Sequence, residues 1–406
     1  MSRINKSSRL AHPRLLLAVI VGTMAGSWAQ ADPPYDWIVD QVSEARITSL
    51  MQDSLYAHDG ADKRWGPEHD LCRTAIYQEF TEAGLDVSLH PFSYSGQTYY
   101  NVVALHRGTV RPDEYYIIGA HFDTVGNPGA DDTTSGVASM LESARILSQY
   151  QFEASMIFIA FDREEQWMIG STAWVEDHLD DDIRGMISLD MIGYSGPDPL
   201  SARLCASLAS ESWKMGLFDA CHQYGNMFVL VQGALDRSDH APFEWNGFPA
   251  VWLAEYNFIE RNPYYHTQQD SVDTPGYIDY ELITAMTRST TGYLAEQAVL
   301  SGPALSRPIP GVAGTVNTLA VANCTPGADM SFGYSEWAGQ TAVPHCPGTY
   351  VNMFRPIHAG QAQARADGVA VFRARVPHRA RGRSYYIQAL DHQGCTVSNA
   401  VYHTFE

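Results

Sequence analysis

The 406 residues are too many for one ordinary hydrophobic core and point to two domains, one of them large. Hydrophobic content of 45% against 18% charged is that of a globular chain and excludes wholesale disorder. A formal net charge of −20 argues against nucleic acid or an anionic membrane as the main partner.

At the start of the chain, Arg3, Lys6, Arg9 and Arg14 form a basic lead and Leu15 to Gly22 an uninterrupted apolar stretch. Ala29-Gln30-Ala31 then gives the small-x-small pattern of a signal peptidase site. The apolar stretch is shorter than the roughly 20 residues that a membrane span needs. Residues 1–31 are therefore expected to be a signal peptide cleaved after Ala31, leaving a secreted or periplasmic protein with no integral membrane segment. Six cysteines (Cys72, Cys205, Cys221, Cys324, Cys346 and Cys395) in an exported chain favour disulfides over reactive thiols, and none sits in a CxxC pair. At least one bridge is expected among the last three, and a Cys205–Cys221 bridge in the preceding domain.

From Tyr35 to about Gly302, apolar runs alternate with amphipathic stretches, which is the pattern of an α/β domain. Trp37 to Met51 and Leu71 to Ala83 carry helical spacing, and Gly84 closes the second. Asp86 to Leu105 reads as two strands joined at Ser95-Gly96. Tyr115–Ala120, Met156–Phe161, Met186–Leu189 and Ala250–Leu253 read as buried strands. A helix from about Ser135 to Gln149 separates the first two of these, with Val137, Met140, Leu141, Ala144 and Leu147 at helical spacing. Another helix spans Tyr280 to Leu300 and stops at Ser301-Gly302-Pro303. These features predict a mixed, largely parallel sheet flanked by helices over residues 32–302.

After Pro303 helical spacing vanishes, Pro and Gly become frequent, and short alternating runs appear at Val369–Val376, Tyr385–Leu390 and Val397–Thr404. Residues 303–406 are expected to be a small all-β, sandwich-like accessory domain. No cluster of metal-ligand or nucleophile residue types stands out in that segment.

The chemistry is expected beyond the carboxyl ends of the buried strands, where open α/β sheets bind ligands. The first run ends in His121-Phe122-Asp123, the second in Asp162-Arg163-Glu164-Glu165, the third in Asp190. Singly, each has an ordinary reading as a hydrogen-bonded pair, a solvated helix face or a cap. Together with Gly129-Ala130-Asp131-Asp132 and Tyr265-His266-Thr267, they supply one carboxylate able to bridge and two nitrogen–carboxylate sets. Two zinc ions require that combination.

His121-Phe122-Asp123, Asp131-Asp132 with Ser135-Gly136, Glu164-Glu165 with Gly170-Ser171, Leu189-Asp190-Met191, Ser238-Asp239-His240 and His266-Thr267 occur in this order in co-catalytic zinc aminopeptidases. Over roughly residues 35 to 302 the chain resembles the bacterial leucyl aminopeptidase branch of that family. The resemblance implies a zinc-exopeptidase fold, a peptide substrate and two Zn2+ per chain. It implies that Asp132 bridges both ions, that Glu165 and His266 complete one site, and that His121 and Asp190 complete the other. Glu164 would be the general base toward the water between the metals, and Asp123 would orient His121. Asp239-His240 is read as supporting rather than ligating.

Two positions depart from the family. Trp167 stands where the Glu-Glu motif usually continues with Gly, so it either narrows the site mouth or packs in the core. Leu235 stands where the leucyl aminopeptidases place a tyrosine that steadies the tetrahedral intermediate. The alternatives are a glutaminyl cyclase, a single-zinc transferase of the same fold, and a carboxypeptidase-type relative, which needs a cationic pocket such as Arg163, Arg237 or Arg261 could supply. A binding protein on an inactive scaffold is disfavoured by the complete ligand set.

Overall fold

A computed structural model describes residues 35–197, 200–256 and 261–406; the leader and its cleavage point lie outside the described residues. The chain opens with α1 (Tyr35–Val39) and α2 (Glu44–Ser49), followed by a π-helical turn over Leu50–Ser54. One helix from Trp37 to Met51 was expected. Ser43 divides it, because its hydroxyl accepts the Arg46 N–H at 3.3 Å and so caps a new helix, while its own N–H donates to Glu142 at 2.9 Å. Pro67 starts α3 (Pro67–Glu82), and Gly84 follows its end at φ +79°. Strands β1 (Asp86–Tyr94) and β2 (Gln97–His106) pair through Ser95 and Gly96, both at positive φ, as a two-residue hairpin turn requires.

Next come β3 (Arg111–His121), α4 (Gly136–Leu147), β4 (Ala154–Phe161), α5 (Ile169–Asp177) and β5 (Asp182–Leu189). They are followed by β6 (Ser201–Cys205), α6 (Glu211–Gln223), β7 (Phe228–Gln232), α7 (His240–Trp245), β8 (Ala250–Glu255) and α8 (Tyr280–Ala298). The strands make one sheet in the order β1-β2-β4-β3-β5-β8-β6-β7. Its centre, β4-β3-β5-β8, is parallel throughout, while β1, β2 and β6 run antiparallel to their inward neighbours.

The continuous apolar runs follow from burial on both faces. Met156, Phe158 and Ala160 of β4 join a core with α3, α4, α6 and α8; the alternating Ile157, Ile159 and Phe161 join a second core with Trp174 of α5 and Phe243 of α7. The chain leaves β3 for its neighbour β4 through α4 on one face of the sheet and leaves β4 for β5 through α5 on the other. The switch point, where a crevice opens, is therefore between the carboxyl ends of β3 and β4.

The C-terminal part is an antiparallel β domain of β9 (Ala304–Leu305), β10 (Val316–Ala322), β11 (Asp329–Ser335), β12 (Ala338–Ala342), β13 (Tyr350–Met353), β14 (Ile357–Gln363), β15 (Ala370–Arg375), β16 (Ser384–Asp391), β17 (Thr396–Val397) and β18 (Val401–Thr404). One sheet runs β15-β10-β9 and another β14-β11-β16-β17 with β18 on β16. Leu319 and Val321 of the first share a core with Met330, Phe332, Ile387 and Ala389 of the second, which makes the sandwich. Cys346 and Cys395 form a disulfide there, as expected. The expected Cys205–Cys221 bridge is absent: Cys205 lies on β6, Cys221 on α6, and both are buried free thiols. The β domain is tied to the end of the α/β part by Asn323, whose side-chain amide donates to the carbonyls of Leu300 at 2.9 Å and Gly302 at 3.2 Å. No helix among the described residues is long and apolar enough to cross a membrane.

Gly170 sits where α5 presses on the turn after β4. Its carbonyl accepts from the buried Asn101 amide at 2.8 Å, and the Asn101 carbonyl oxygen accepts from Asp162 N–H at 2.9 Å. A Cβ on Gly170 would lie 2.1 Å from the Asp162 carbonyl oxygen. Gly170→Ala is therefore expected to destabilise the protein by about 1–3 kcal/mol, read as a lower urea midpoint at unchanged slope. No shift would mean that α5 is not wedged there.

Candidate metal centre

Three parallel strands deliver side chains to one crevice. His121 is the last residue of β3, Glu164 and Glu165 lie in the turn after β4, and Asp190 directly follows β5. Asp132 lies in a turn over Ala130–Ser135 that enters α4, and His266 comes from the loop between β8 and α8. His121, Asp132 and Asp190 form one group whose ligand atoms lie within 4.8 Å of one another, and Asp132, Glu165 and His266 form a second. The Oδ1 of Asp132 faces His121 Nε2 at 3.2 Å, and its Oδ2 faces His266 Nε2 at 3.2 Å. His121 Nε2 is also 3.5 Å from Asp190, and His266 Nε2 is 3.3 Å from Glu165.

Several of these buried atoms are close together yet make no hydrogen bond: His121 Nε2, Asp190 Oδ1 and Glu165 Oε1. Buried polar atoms are rarely left unpartnered. Orphaned imidazole nitrogen and carboxylate oxygens converging from separate loops are the donor set that suits a divalent transition metal.

Asp132 is held in place by its neighbours. The carboxylate of Asp270 accepts Asp131 N–H at 2.7 Å and Asp132 N–H at 3.3 Å. Asp131 accepts Gly193 N–H at 2.6 Å, and Thr133 and Ser135 accept the N–H groups of Met191 and Ile192, which ties the Asp132 turn to the segment after Asp190. The amide of Asn262 donates to Asp131 at 2.8 Å and to Glu255 at 3.1 Å. Trp252 donates its indole N–H to the Asp190 carbonyl at 2.9 Å.

So much buried acid perturbs its own ionisation. Burial, then Asp239, Asp190 and Glu165, hold Glu164 well above the usual carboxyl range against the pull of His121. Burial and Asp132 push Glu165 up to about 7. Burial alone would raise Asp132, but His121 and His266 outweigh it and keep its carboxyl below the usual range. Burial works against a charged His266, yet Asp132 and Glu165 raise it to about 10. Burial raises both Asp131 and Glu255, and Asp131 adds to the rise of Glu255, so that pair retains a proton.

Glu164 belongs to neither three-residue group; its Oε2 lies 3.9 Å from His121 Nε2. Asp123, expected to orient His121, lies against its ring: the backbone carbonyl is 3.1 Å and the carboxylate 3.7 Å from His121 Nδ1, and the carboxylate also accepts Glu164 N–H at 3.0 Å. Asp239 is buried and accepts from Ser171; the buried His240 ring is held down near 4 by burial. Trp167 does not pack in the core: its indole is 84% exposed. Leu235 packs with Tyr265 against the small cluster of Met191, Cys205, Trp252 and Ala254. Tyr265 also stacks on His266 at 3.8 Å, and burial with the surrounding carboxylates raises its phenol. Asp270, Glu255, Asn262 and Trp252 went unread in the sequence. Only Asp270 had a signal, an acid four residues after His266.

Residues 101–293 match the sequence model of peptidase family M28. Aminopeptidase YwaD of Bacillus subtilis is 30% identical over 197 residues, covering 45% of this chain and 41% of that protein. A probable leucine aminopeptidase of Trichophyton verrucosum is 25% identical, covering 50% and 58%. The chain spans about half the length of the curated relatives it matches. Among solved structures, LapB from Legionella pneumophila has a TM-score of 0.60 at 22% identity, covering 66% of this chain and 76% of that one, a likeness of fold. Porphyromonas gingivalis glutaminyl cyclase has a TM-score of 0.52 at 26% identity, covering 64% and 99%. The resemblance read from the ordered motifs thus holds.

Asn262 is the shared donor between two acids, so Asn262→Asp replaces that donor with a third acid of the same shape. The variant is expected to lose about 2–4 kcal/mol at pH 8, measured by chemical denaturation. The loss should be smaller at pH 5, because the introduced carboxyl can donate only while protonated. Equal, small losses at both pH values would show that Asp131 and Glu255 do not depend on the amide.

Proposed function

We propose that this chain, matched to peptidase family M28, is an exported zinc aminopeptidase that removes N-terminal residues from peptides and holds two zinc ions on Asp132. The observation that carries the reading is that each carboxylate oxygen of Asp132 faces a different histidine. His121 and Asp190 would complete one metal site, and Glu165 and His266 the other. When bound, zinc supplies Lewis acidity toward the scissile carbonyl and brings the pKa of a water from ~15.7 toward ~7.

Glu164 stands outside both ligand groups, so its carboxylate is left to take the proton of the attacking water and pass it to the departing amine. Asp123 fixes the Glu164 backbone through its carboxylate and the His121 ring through its carbonyl, and so sets base and ligand together. Trp252 and Asp270 hold the Asp190 and Asp132 backbones against drift. Residues 32–302 carry this chemistry and residues 303–406 an accessory domain. The basic, apolar leader and the Cys346–Cys395 disulfide support export.

A glutaminyl cyclase is the second reading, favoured by the Porphyromonas gingivalis structure at 26% identity. That activity needs one zinc, whereas two full ligand groups stand here. Release of free amino acids from an unblocked peptide, with two zincs per chain by metal analysis, supports the peptidase; cyclisation of an N-terminal glutamine supports the cyclase. Of the three cations that a carboxypeptidase could use, Arg163 is withdrawn, since it is buried and committed to the Arg64 carbonyl and the ring faces of Tyr99 and Trp65.

Glu164→Gln keeps size and polarity but accepts no proton, so turnover is expected to fall by about 10²–10⁴-fold at near-normal zinc content. Survival within a few-fold would remove Glu164 from the role of base. Among the ligands, Asp132→Ala is expected to lower zinc content toward zero and His266→Ala toward one per chain. Equal partial losses would argue against Asp132 as the bridge.

A further inference from the structure

We propose that Trp167 and Trp65 form an aromatic rim that grips the peptide substrate beyond its first residue, favouring aromatic side chains there. The proposal rests on the peptidase reading above.

Trp167 has φ +73° and Met168 φ +57°, the left-handed region that glycine alone enters without a steric penalty. The turn is fixed by Met168 N–H to the Glu164 carbonyl at 2.7 Å and Ile169 N–H to the Arg163 carbonyl at 3.0 Å. A glycine would serve this backbone better. An indole 84% exposed also recovers little from burial inside the fold. Local strain kept beside a reactive site, with no return in stability, points to a task outside the fold.

Trp65 is tied to the same turn through Arg163. The guanidinium of Arg163 lies 4.1 Å from the Tyr99 ring centre and 5.8 Å from that of Trp65, donates to the Arg64 carbonyl, and reaches Gln166 Oε1 at 3.4 Å. Arg64 in turn stacks over Trp65 at 4.4 Å. Arg163 is itself 1% exposed. One buried cation therefore fastens the Trp65 segment to the turn that carries Glu164, Glu165 and Trp167, and Trp65 stays 54% exposed.

The occupant follows from what each apolar surface can reach. The cluster of Met191, Cys205 and Trp252 beside Asp190 and Tyr265 is closed over and offers a substrate no surface. The two indoles stand in solvent beside the Glu164-Glu165 turn, where the remaining peptide must lie while its first bond is cut. Indole faces bind aromatic rings by offset or edge contacts and favour them over glycine, which offers no side chain.

The test compares kcat/KM for Leu-Phe-Phe and Leu-Gly-Gly with the zinc-loaded full chain. The wild type should prefer Leu-Phe-Phe, and Trp167→Gly should lower that preference about tenfold, chiefly by raising KM for Leu-Phe-Phe. Trp167→Phe should restore most of it, and Trp65→Ala should move it in the same direction as Trp167→Gly. The melting temperature of Trp167→Gly should be unchanged or higher, since glycine relaxes the turn. An unchanged preference, or a fall in preference accompanied by a lower melting temperature, would overturn the rim and leave the peptidase reading intact. A wild type that cleaves neither peptide would overturn both.

Discussion

Like charge held out of water is what this architecture has to manage. Asp123, Asp131, Asp132, Asp190, Asp239, Glu255 and Asp270 are all buried near the carboxyl ends of three adjacent strands, with Glu164 and Glu165 nearly so. Two carboxylates 4 Å apart repel by about 4 kcal/mol even at an effective dielectric of 20. The protein offsets this in layers. Backbone N–H groups of Gly193, Glu164, Asp131 and Asp132 point at carboxylates. Glu255 keeps its proton, and the buried ammonium of Lys63 donates to Thr134 at the foot of the same turn. What stays without a hydrogen-bond partner in the two groups around Asp132 is His121 Nε2, Asp190 Oδ1 and Glu165 Oε1, so on the zinc reading proposed above a bound cation would add to the stability of the fold.

The sheet makes such a concentration of charge buildable. Parallel strands buried on both faces must be apolar along their length, so polar residues are displaced to the ends. Because the connections reverse between β3 and β4, the loops after β3, β4 and β5 converge on one crevice while the strands stay pinned in the ladder. His121 is at once a paired strand residue and a member of the centre. Its position is thus set by the sheet rather than by a loop.

This logic explains what could be read in advance. A strand flanked by cores on both faces prints a continuous apolar run, and the residue that ends the run marks the crevice; hence β3, β4, β5 and β8 were legible, and so were the residues that end the first three. Short β6 prints no such run, while β7 prints one at Phe228–Val231 on a half-exposed edge strand; both went unread. So did the break at Ser43, since one side-chain cap outweighs helical spacing only by a contact with distant Glu142. Cys205 and Cys221 were paired by proximity in sequence, which carries no information about whether a strand and a helix bring their sulfurs within reach. Asp270, Glu255 and Asn262 were hidden because their work is to bind other residues' backbones and carboxylates, and that pairing exists only in three dimensions. Trp167 could be singled out as a departure from a motif, but its exposure depends on the left-handed turn beneath it.

Ser148 to Gln151, just before β4, line a shared cavity with Gln340, Tyr350, Asn352 and Gln388 of the β domain, so the seam lies at the opposite end of β4 from the crevice. The strand between them, Ala154–Phe161, is roughly 23 Å long. The catalytic face and the C-terminal module therefore occupy opposite poles of the sheet axis. Whatever the module is fastened to, whether a surface, a matrix or a fusion partner joined at Glu406, would hold the molecule by its back and leave the crevice facing the medium.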